Sequence, residues 1–351
     1  MIIMGLSPSA YNKHEECPMK YFMEYVLKWR DQVGIAANQG TIVHNVLEIL
    51  AKYRVAELNG HDTIEHSLFE EPILAGKYDV DQLTEIAYHA QVEETPWHAE
   101  KWQEADYHKE CRTWVQKVLD YKDGVYDPRK LNVIEPEQYF KLEIDEPWAQ
   151  YDFSSEYGNF PGYDTDSLKG CMSIRGIIDL VISHNDGDRI EVLDWKTGKT
   201  RKDWNTGIMK DETNLHKDIQ LRMYHYAVKK MYPECKHVMV TIYFIRAGGP
   251  FTIHFTDDDL ALTEKMIQYK FEFIRDTFQP ALCEPKSRWK CSRFCKFGKE
   301  SFDGTHIEPL TEKRKVKAPL EDGCMTMCEQ TKLFIQQYGI DWVTAHMSNR
   351  K

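Results

Sequence analysis

Asp179 stands in Gly176-Ile177-Ile178-Asp179, among residues that belong in a core, where an ionised carboxylate is costly unless it is paired or bound to metal. Further along, Asp194 and Lys196 are two residues apart, so in an extended strand both project from one face while Trp195 projects from the other. Two carboxylates converging beside one ammonium suit phosphodiester cleavage. Hard oxygen ligands hold Mg²⁺ or Mn²⁺, the cation acidifies its water and neutralises phosphate charge, and a lysine orients the water or stabilises developing charge. A buried Asp-Lys ion pair on a core strand would carry the same three residues, and their spacing leaves both possibilities open. Gly198-Lys199-Thr200 matches the end of a phosphate-binding loop, but Leu193 stands where that motif needs a glycine, so no P-loop is indicated.

These residues need elements to hold them. Ile174 to Ser183 is apolar and β-branched, and Arg189 to Lys196 follows a polar stretch, which predicts a hairpin turned at Asp186-Gly187. Gln138 to Ile144 alternates as a strand. Leu215 to Met231 has helical periodicity, His237 to Arg246 and Phe251 to Phe255 alternate around Gly248-Gly249-Pro250, and Asp257 to Phe278 forms a long amphipathic helix. Upstream, Ser9 to Trp29 predicts a helix capped by Ser9 and broken at Cys17-Pro18, and Gly40 to Leu58 a second helix with His44 on its first turns. Between Gly60 and Gly124 the chain is polar and tryptophan-bearing, with helical spacing around Trp114, Val115, Val118 and Leu119. The order of elements predicts a mixed α/β core with a helical insertion and a Cys-bearing C-terminal tail. The expected divisions are 1–60 (N-terminal helical part), 61–130 (insertion), 131–280 (core) and 281–351 (tail).

The chain has 351 residues, 42% of them hydrophobic, enough for one large core or two modest ones. With 45 basic and 56 acidic residues it carries a net charge of -11, so composition offers no hint of nucleic-acid binding, although a phosphate groove needs only a local basic surface. Met1 to Ala10 has no basic leader, and no window approaches the roughly 20 apolar residues of a membrane span. The expectation is a soluble, cytoplasmic protein without a membrane partner. Nine cysteines without a secretion leader argue against a disulfide framework, which leaves clustered cysteines to be read first as metal ligands. Cys291 and Cys295 lie close together in the tail, with Cys324 and Cys328 beyond them and Cys17 far upstream.

Taken in order, Gly40-Thr41-Ile42-Val43-His44, Gly176-Ile177-Ile178-Asp179, Asp194-Trp195-Lys196-Thr197-Gly198 and Gln220-Leu221-Arg222-Met223-Tyr224 closely resemble the motifs of RecB-type nucleases of the PD-(D/E)XK superfamily. The resemblance covers the first sixty residues and about 134–328. It implies a restriction-endonuclease-like core, a mixed central sheet flanked by helices. It implies that His44, Asp179 and Asp194 bind the catalytic metal with the main-chain carbonyl of Trp195, that Lys196 assists the attacking water, and that Gln220 and Tyr224 line the site. Taken without it, His44 reads as a structural histidine, and Gln220 and Tyr224, four apart on one helix face, as a core tyrosine beside a polar neighbour.

The cysteine arrangement resembles the iron-sulfur branch of this family, that of the CRISPR adaptation nucleases and AddB-type helicase-nucleases. By that resemblance Cys17, Cys291, Cys295 and Cys328 hold a [4Fe-4S] cluster, with Cys324 the alternative fourth ligand; the last ligand lies farther off than is common in the family. Four thiolates also suit tetrahedral Zn²⁺. Cys111, Cys171, Cys235 and Cys283 are left as ordinary thiols. The activity implied is that of a DNA exonuclease acting on single strands or duplex ends in recombination, repair or phage DNA processing, in a prokaryotic or phage-infected cell. No helicase motif is present, so any unwinding falls to a helicase or recombination partner. Two alternatives stand beside it: a non-catalytic DNA-end-binding or assembly subunit, and a structure-specific endonuclease.

Overall fold

The computed structural model describes residues 1–29, 34–160, 164–184, 187–203, 207–283, 290–291, 295–298, 300–302, 307–309 and 326–348. The elements used below are β1 (Gly5–Leu6), α1 (Pro8–Glu16), α2 (Ile35–Asn59), α3 (Val80–Glu94), α4 (Tyr107–Asp120), β2 (Val133–Glu143), β3 (Ser173–His184), β4 (Arg189–Lys196), α5 (Ile219–Met231), β5 (His237–Phe244), β6 (Gly248–His254), α6 (Asp257–Arg275), α7 (Met327–Tyr338) and α8 (Ile340–Met347).

Six strands form one mixed sheet in the order β1-β3-β4-β5-β6, with β2 also paired to β3. β1 runs parallel to β3 and β4 parallel to β5, whereas β3 with β4 and β5 with β6 are antiparallel. The mixed sheet flanked by helices is the fold class that the order of elements predicts. The β3-β4 hairpin is present through His184↔Arg189; of the turn predicted at Asp186-Gly187, Asp186 lies outside the described residues and Gly187 has a φ of 94°. Ser7, not Ser9, caps α1, because Pro8 takes the first helical position and the Ser7 side chain accepts the Ala10 N–H.

The chain divides into two compact units. One comprises Val33–Phe140 and Gly176–Ala261. Its core packs Ile42, Val43, Val46 and Leu47 of α2 against Leu180 and Ile182 of β3 and Leu193 and Trp195 of β4. The helical stretch that the sequence marks around Trp114, Val115, Val118 and Leu119 is α4, which buries those four residues in the same core beside Leu83 and Ala87 of α3. The other unit comprises Met1–Gln32, Lys141–Arg175 and Leu262–Lys351. There α1 stops at Glu16, since Pro18 cannot continue it, and a short helix Pro18–Tyr21 restarts with the Cys17 side chain as its cap. α7 opens with a capping box in which Thr326 and Glu329 satisfy each other's backbone N–H groups, which places Cys328 in its first turn.

β2 and β3 carry one irregularity that matters below. Ile144 N–H bonds to Met172 O, and Ser183 N–H bonds to Asn132 O. Between those contacts β2 advances by twelve residues (144 minus 132) and β3 by eleven (183 minus 172), so β2 holds one extra residue, a β-bulge. Glu137, with φ 46°, is the left-handed residue of that stretch. For a residue with a Cβ this conformation costs on the order of 1–2 kcal/mol.

The core assignment is testable. Leu47 is fully buried and Leu58, on the same helix, is 42% exposed. Leu47→Ala is expected to lower the free energy of unfolding by about 2–5 kcal/mol and Leu58→Ala by less than about 0.5 kcal/mol, read as midpoint shifts in urea at constant slope.

Candidate active site

β3 and β4 pair in antiparallel register from His184↔Arg189 to Leu180↔Leu193, and β4 continues beside β5 to Lys196↔Phe244. One step past Leu180 and Leu193 the same register sets Asp179 opposite Asp194. There the backbone ladder gives way to a side chain: Asp179 Oδ2 accepts the Trp195 N–H at 2.7 Å. The predicted convergence of the two carboxylates is therefore present, at the point where the hairpin opens.

α2 brings His44 into that opening. Gly40 lets the helix come close, because a Cβ there would stand 3.0 Å from Thr197 Oγ1, just past the end of β4. One turn later His44 Nε2 lies 3.1 Å from Trp195 O, the carbonyl expected to be a ligand. With Nε2–H donating to that carbonyl, Nδ1 faces acid on two sides: Asp179 Oδ1 at 3.6 Å and Glu137 Oε1 at 3.9 Å. The ligand atoms of His44, Glu137 and Asp179 all lie within 4.8 Å of one another, a spacing that can hold a divalent cation.

Glu137 is the residue that sequence reasoning missed. It lies one residue before the stretch recognised as alternating, and the bulge that turns it toward His44 has no sequence signature beyond acids flanking Pro136.

Asp194 is placed differently from Asp179. Fully buried, it pairs through Oδ2 with Lys196 Nζ at 2.6 Å and accepts at Oδ1 from Gln220 Nε2 at 2.9 Å. Gln220 also donates to Tyr224 Oη at 2.7 Å, and the Tyr224 hydroxyl donates to Ile177 O at 2.6 Å. α5 carries both residues and is capped by Asp218, which accepts the Gln220 N–H and is paired with Lys210 at 2.5 Å. Tyr224 meets the Phe140 ring edge-on. The structure thus brings together every residue that the motifs singled out here, and all of them belong to one compact unit.

The charges at this place follow from burial and from one another. Burial pushes the Asp194 carboxyl up to about 6 even though Lys196 opposes it, and burial raises Asp179 as well against His44 and Lys196. Burial disfavours charge on His44 too, yet Asp179 and Glu137 outweigh it and lift the imidazole to about 9. Lys196, also disfavoured by burial, is held charged by Asp194 and Asp179. Burial, with Asp194 and Asp179 adding to it, keeps Tyr224 a neutral hydroxyl and hence a donor.

A second group of side chains gathers in the other unit. Cys283 Sγ lies 2.8 Å from Cys291 Sγ. The Cys17 thiol is raised first by its hydrogen bond with Cys283 and then by burial, while its Sγ accepts the Lys20 N–H. Burial pushes Cys295 up to about 11 with Cys17 adding to it, and raises Cys328 well above the usual thiol range, with Cys295, Cys17 and Cys283 contributing. Gly298 closes the turn, since a Cβ there would strike Cys291 O at 2.5 Å. Five thiols therefore converge, none of them in a disulfide. Cys283, read from sequence as an ordinary thiol, is among them; its closeness in sequence to Cys291 was the signal. Cys111, Cys171 and Cys235 are free thiols as well. Cys324 and the basic run 313–317 lie outside the described residues.

A family model described as the PD-(D/E)XK nuclease superfamily matches residues 5–299. No curated protein sequence matches the chain. Among solved structures, a candidate exonuclease from Eubacterium rectale is similar over 80% of this chain and 85% of its own, at 13% identity and a TM-score of 0.45. The protein SSO0001 is similar over 72% and 81%, at 13% identity and a TM-score of 0.26.

Glu137→Gln and Asp179→Asn should each weaken Mn²⁺ binding about tenfold or more, the scale of losing one group around a metal. Glu135→Gln, at an exposed neighbour on the same strand, should leave it unchanged. Calorimetric titration reads all three.

Proposed function

We propose, from the premise that this chain belongs to the PD-(D/E)XK nuclease superfamily, that it is a RecB-type metal-dependent exonuclease hydrolysing single-stranded DNA or duplex ends. The observation that carries this is the convergence of His44, Glu137, Asp179, Asp194 and Lys196 at one opening of the sheet. Recombination, repair or phage DNA processing is the setting we assign to it, with unwinding left to a partner helicase.

His44, Glu137 and Asp179 would hold Mg²⁺ or Mn²⁺, with the Asp194 carboxylate beside them. A divalent cation bound there supplies an acidified water and neutralises charge on the phosphate. The chain's own residues do the rest. Lys196, kept charged between the two aspartates, serves as an electrostatic donor toward the water and the phosphate oxygens. Gln220 holds one oxygen of Asp194 and so leaves the other to Lys196. Tyr224 ties that pair to the backbone of β3 at Ile177.

For the thiol group we propose a [4Fe-4S] cluster held by four of Cys17, Cys283, Cys291, Cys295 and Cys328. Four thiolates are its ligand set, and the convergence of five thiols, none of them in a disulfide, supports it. The cluster's service would be structural, fastening the short helix after Cys17, the residues Cys283, Cys291 and Cys295, and the first turn of α7, all of one unit, to a single point.

Two measurements test these assignments. Anaerobically purified protein with Mg²⁺ or Mn²⁺ should degrade end-labelled linear DNA and spare circular single strands. Asp194→Ala and Lys196→Ala should each lower the rate by about 10²–10³-fold. Binding without any cleavage by wild type would instead favour a DNA-end-binding subunit, and cutting of circles a structure-specific endonuclease. Iron and acid-labile sulfide should both be present, and both lost in Cys295→Ala along with a lower melting temperature. Zinc in their place would overturn the cluster.

A further inference from the structure

Some of the exposed large apolar residues stand in pairs, Tyr269 with Phe273 and Tyr338 with Trp342 among them. A further pair adjoins the acidic centre. Tyr139 is 56% exposed and Ile177 48% exposed, and they stand directly across the β2-β3 ladder from each other. The register that joins Ile144 to Met172 pairs 140 with 176 and 139 with 177 when counted back, and the Phe140 ring indeed lies where a Cβ on Gly176 would be, 2.7 Å away. Residues directly opposite in an antiparallel pair share a face and touch through their side chains.

That pair is joined to the acidic centre in three ways. Tyr139 is two residues from Glu137 and Ile177 two residues from Asp179, so along each strand it lies only about 7 Å from a candidate metal ligand. The backbone of Ile177 is held by the Tyr224 hydroxyl, which Gln220 links to Asp194. Gly176, having no side chain, leaves room for Phe140 beneath, and Phe140 in turn braces Tyr224. An aromatic ring and a branched aliphatic side chain are therefore left facing solvent on a rigid mount, one step from where a phosphate would be cut.

We propose that Tyr139 and Ile177 form a stacking platform for the nucleobase next to the scissile phosphate of a single strand. The inference rests on the nuclease reading above. Bases of every kind present a π-face, so such a platform grips a strand without selecting its sequence. This suits an enzyme that must pass along DNA of any composition. It also gives a chain of net charge -11 a source of affinity that does not depend on a large basic surface.

The test uses the full-length protein, Ca²⁺ in place of the catalytic cation, and single-stranded oligonucleotides carrying 2-aminopurine beside the terminal phosphodiester. Wild type and Tyr139→Phe should bind and quench the probe, whereas Tyr139→Ala should bind about tenfold more weakly and leave it bright. Mn²⁺ affinity and melting temperature should stay unchanged in all three, because the side chain is exposed. Equal quenching and affinity in Tyr139→Ala and in the Tyr139→Ala/Ile177→Ala double variant, with wild type still degrading the strand in Mg²⁺, would overturn the platform and leave the nuclease standing. Wild type that neither binds single strands in Ca²⁺ nor cleaves them in Mg²⁺ or Mn²⁺ would remove both.

Discussion

A hydrogen bond from the Trp195 backbone to the Asp179 carboxylate organises everything around it. It stands where a strand-to-strand bond would otherwise be, and by standing there it lets β3 and β4 separate without leaving a buried N–H unsatisfied. The gap admits His44 from the helix above, turns the Trp195 carbonyl toward that imidazole, and leaves the other Asp179 oxygen facing the His44 ring at 3.6 Å. A carboxylate so placed is anchored and still available. Were the ladder to continue with ordinary backbone bonds, the two aspartates would remain, but with no room between them.

Around that point the electrostatics are deliberately unbalanced. Three carboxylates face one imidazole and one ammonium, all in a region where burial penalises charge. The protein answers with neutral donors fixed in place: Gln220 on Asp194 and Tyr224 behind Gln220. Neutral donors hold geometry without satisfying the charge, so the remaining deficit is one that the proposed divalent cation would fill. The thiol group in the other unit follows a related logic, since burial and the neighbouring sulfurs disfavour charge on Cys17, Cys295 and Cys328, an arrangement that a metal group held by the sulfurs would relieve.

Much of this could be read in the chain before any coordinates, and the reasons are local. Asp179 announces itself as a charge inside an apolar strand, Asp194 and Lys196 by period two, Gln220 and Tyr224 by period four, and His44 by the glycine one turn earlier. These are patterns that secondary structure imposes directly. What could not be read depends on relations between strands. Glu137 is aimed by an extra residue in β2, and that residue is extra only with respect to β3. Cys283 stands eight positions before Cys291, a closeness in sequence that hints at the group, but only the fold sets the two sulfurs together. Even the capping of α1 by Ser7 turned on which of two nearby serines precedes the proline.

The bulge at Glu137 has a consequence for how such a centre is inherited. Because the two ends of β2 keep different registers with β3, the residue between them is aimed by a count as well as by a chemical type. Deleting one position between Asn132 and Glu137 would let the strands zip into a single register and swing the acid onto the opposite face, with every candidate ligand still present in the chain. Insertions and deletions in this short stretch, harmless in most surface strands, therefore carry the weight that substitutions carry elsewhere. The centre is written partly in length, and related chains can be aligned on identity yet differ in whether they possess it.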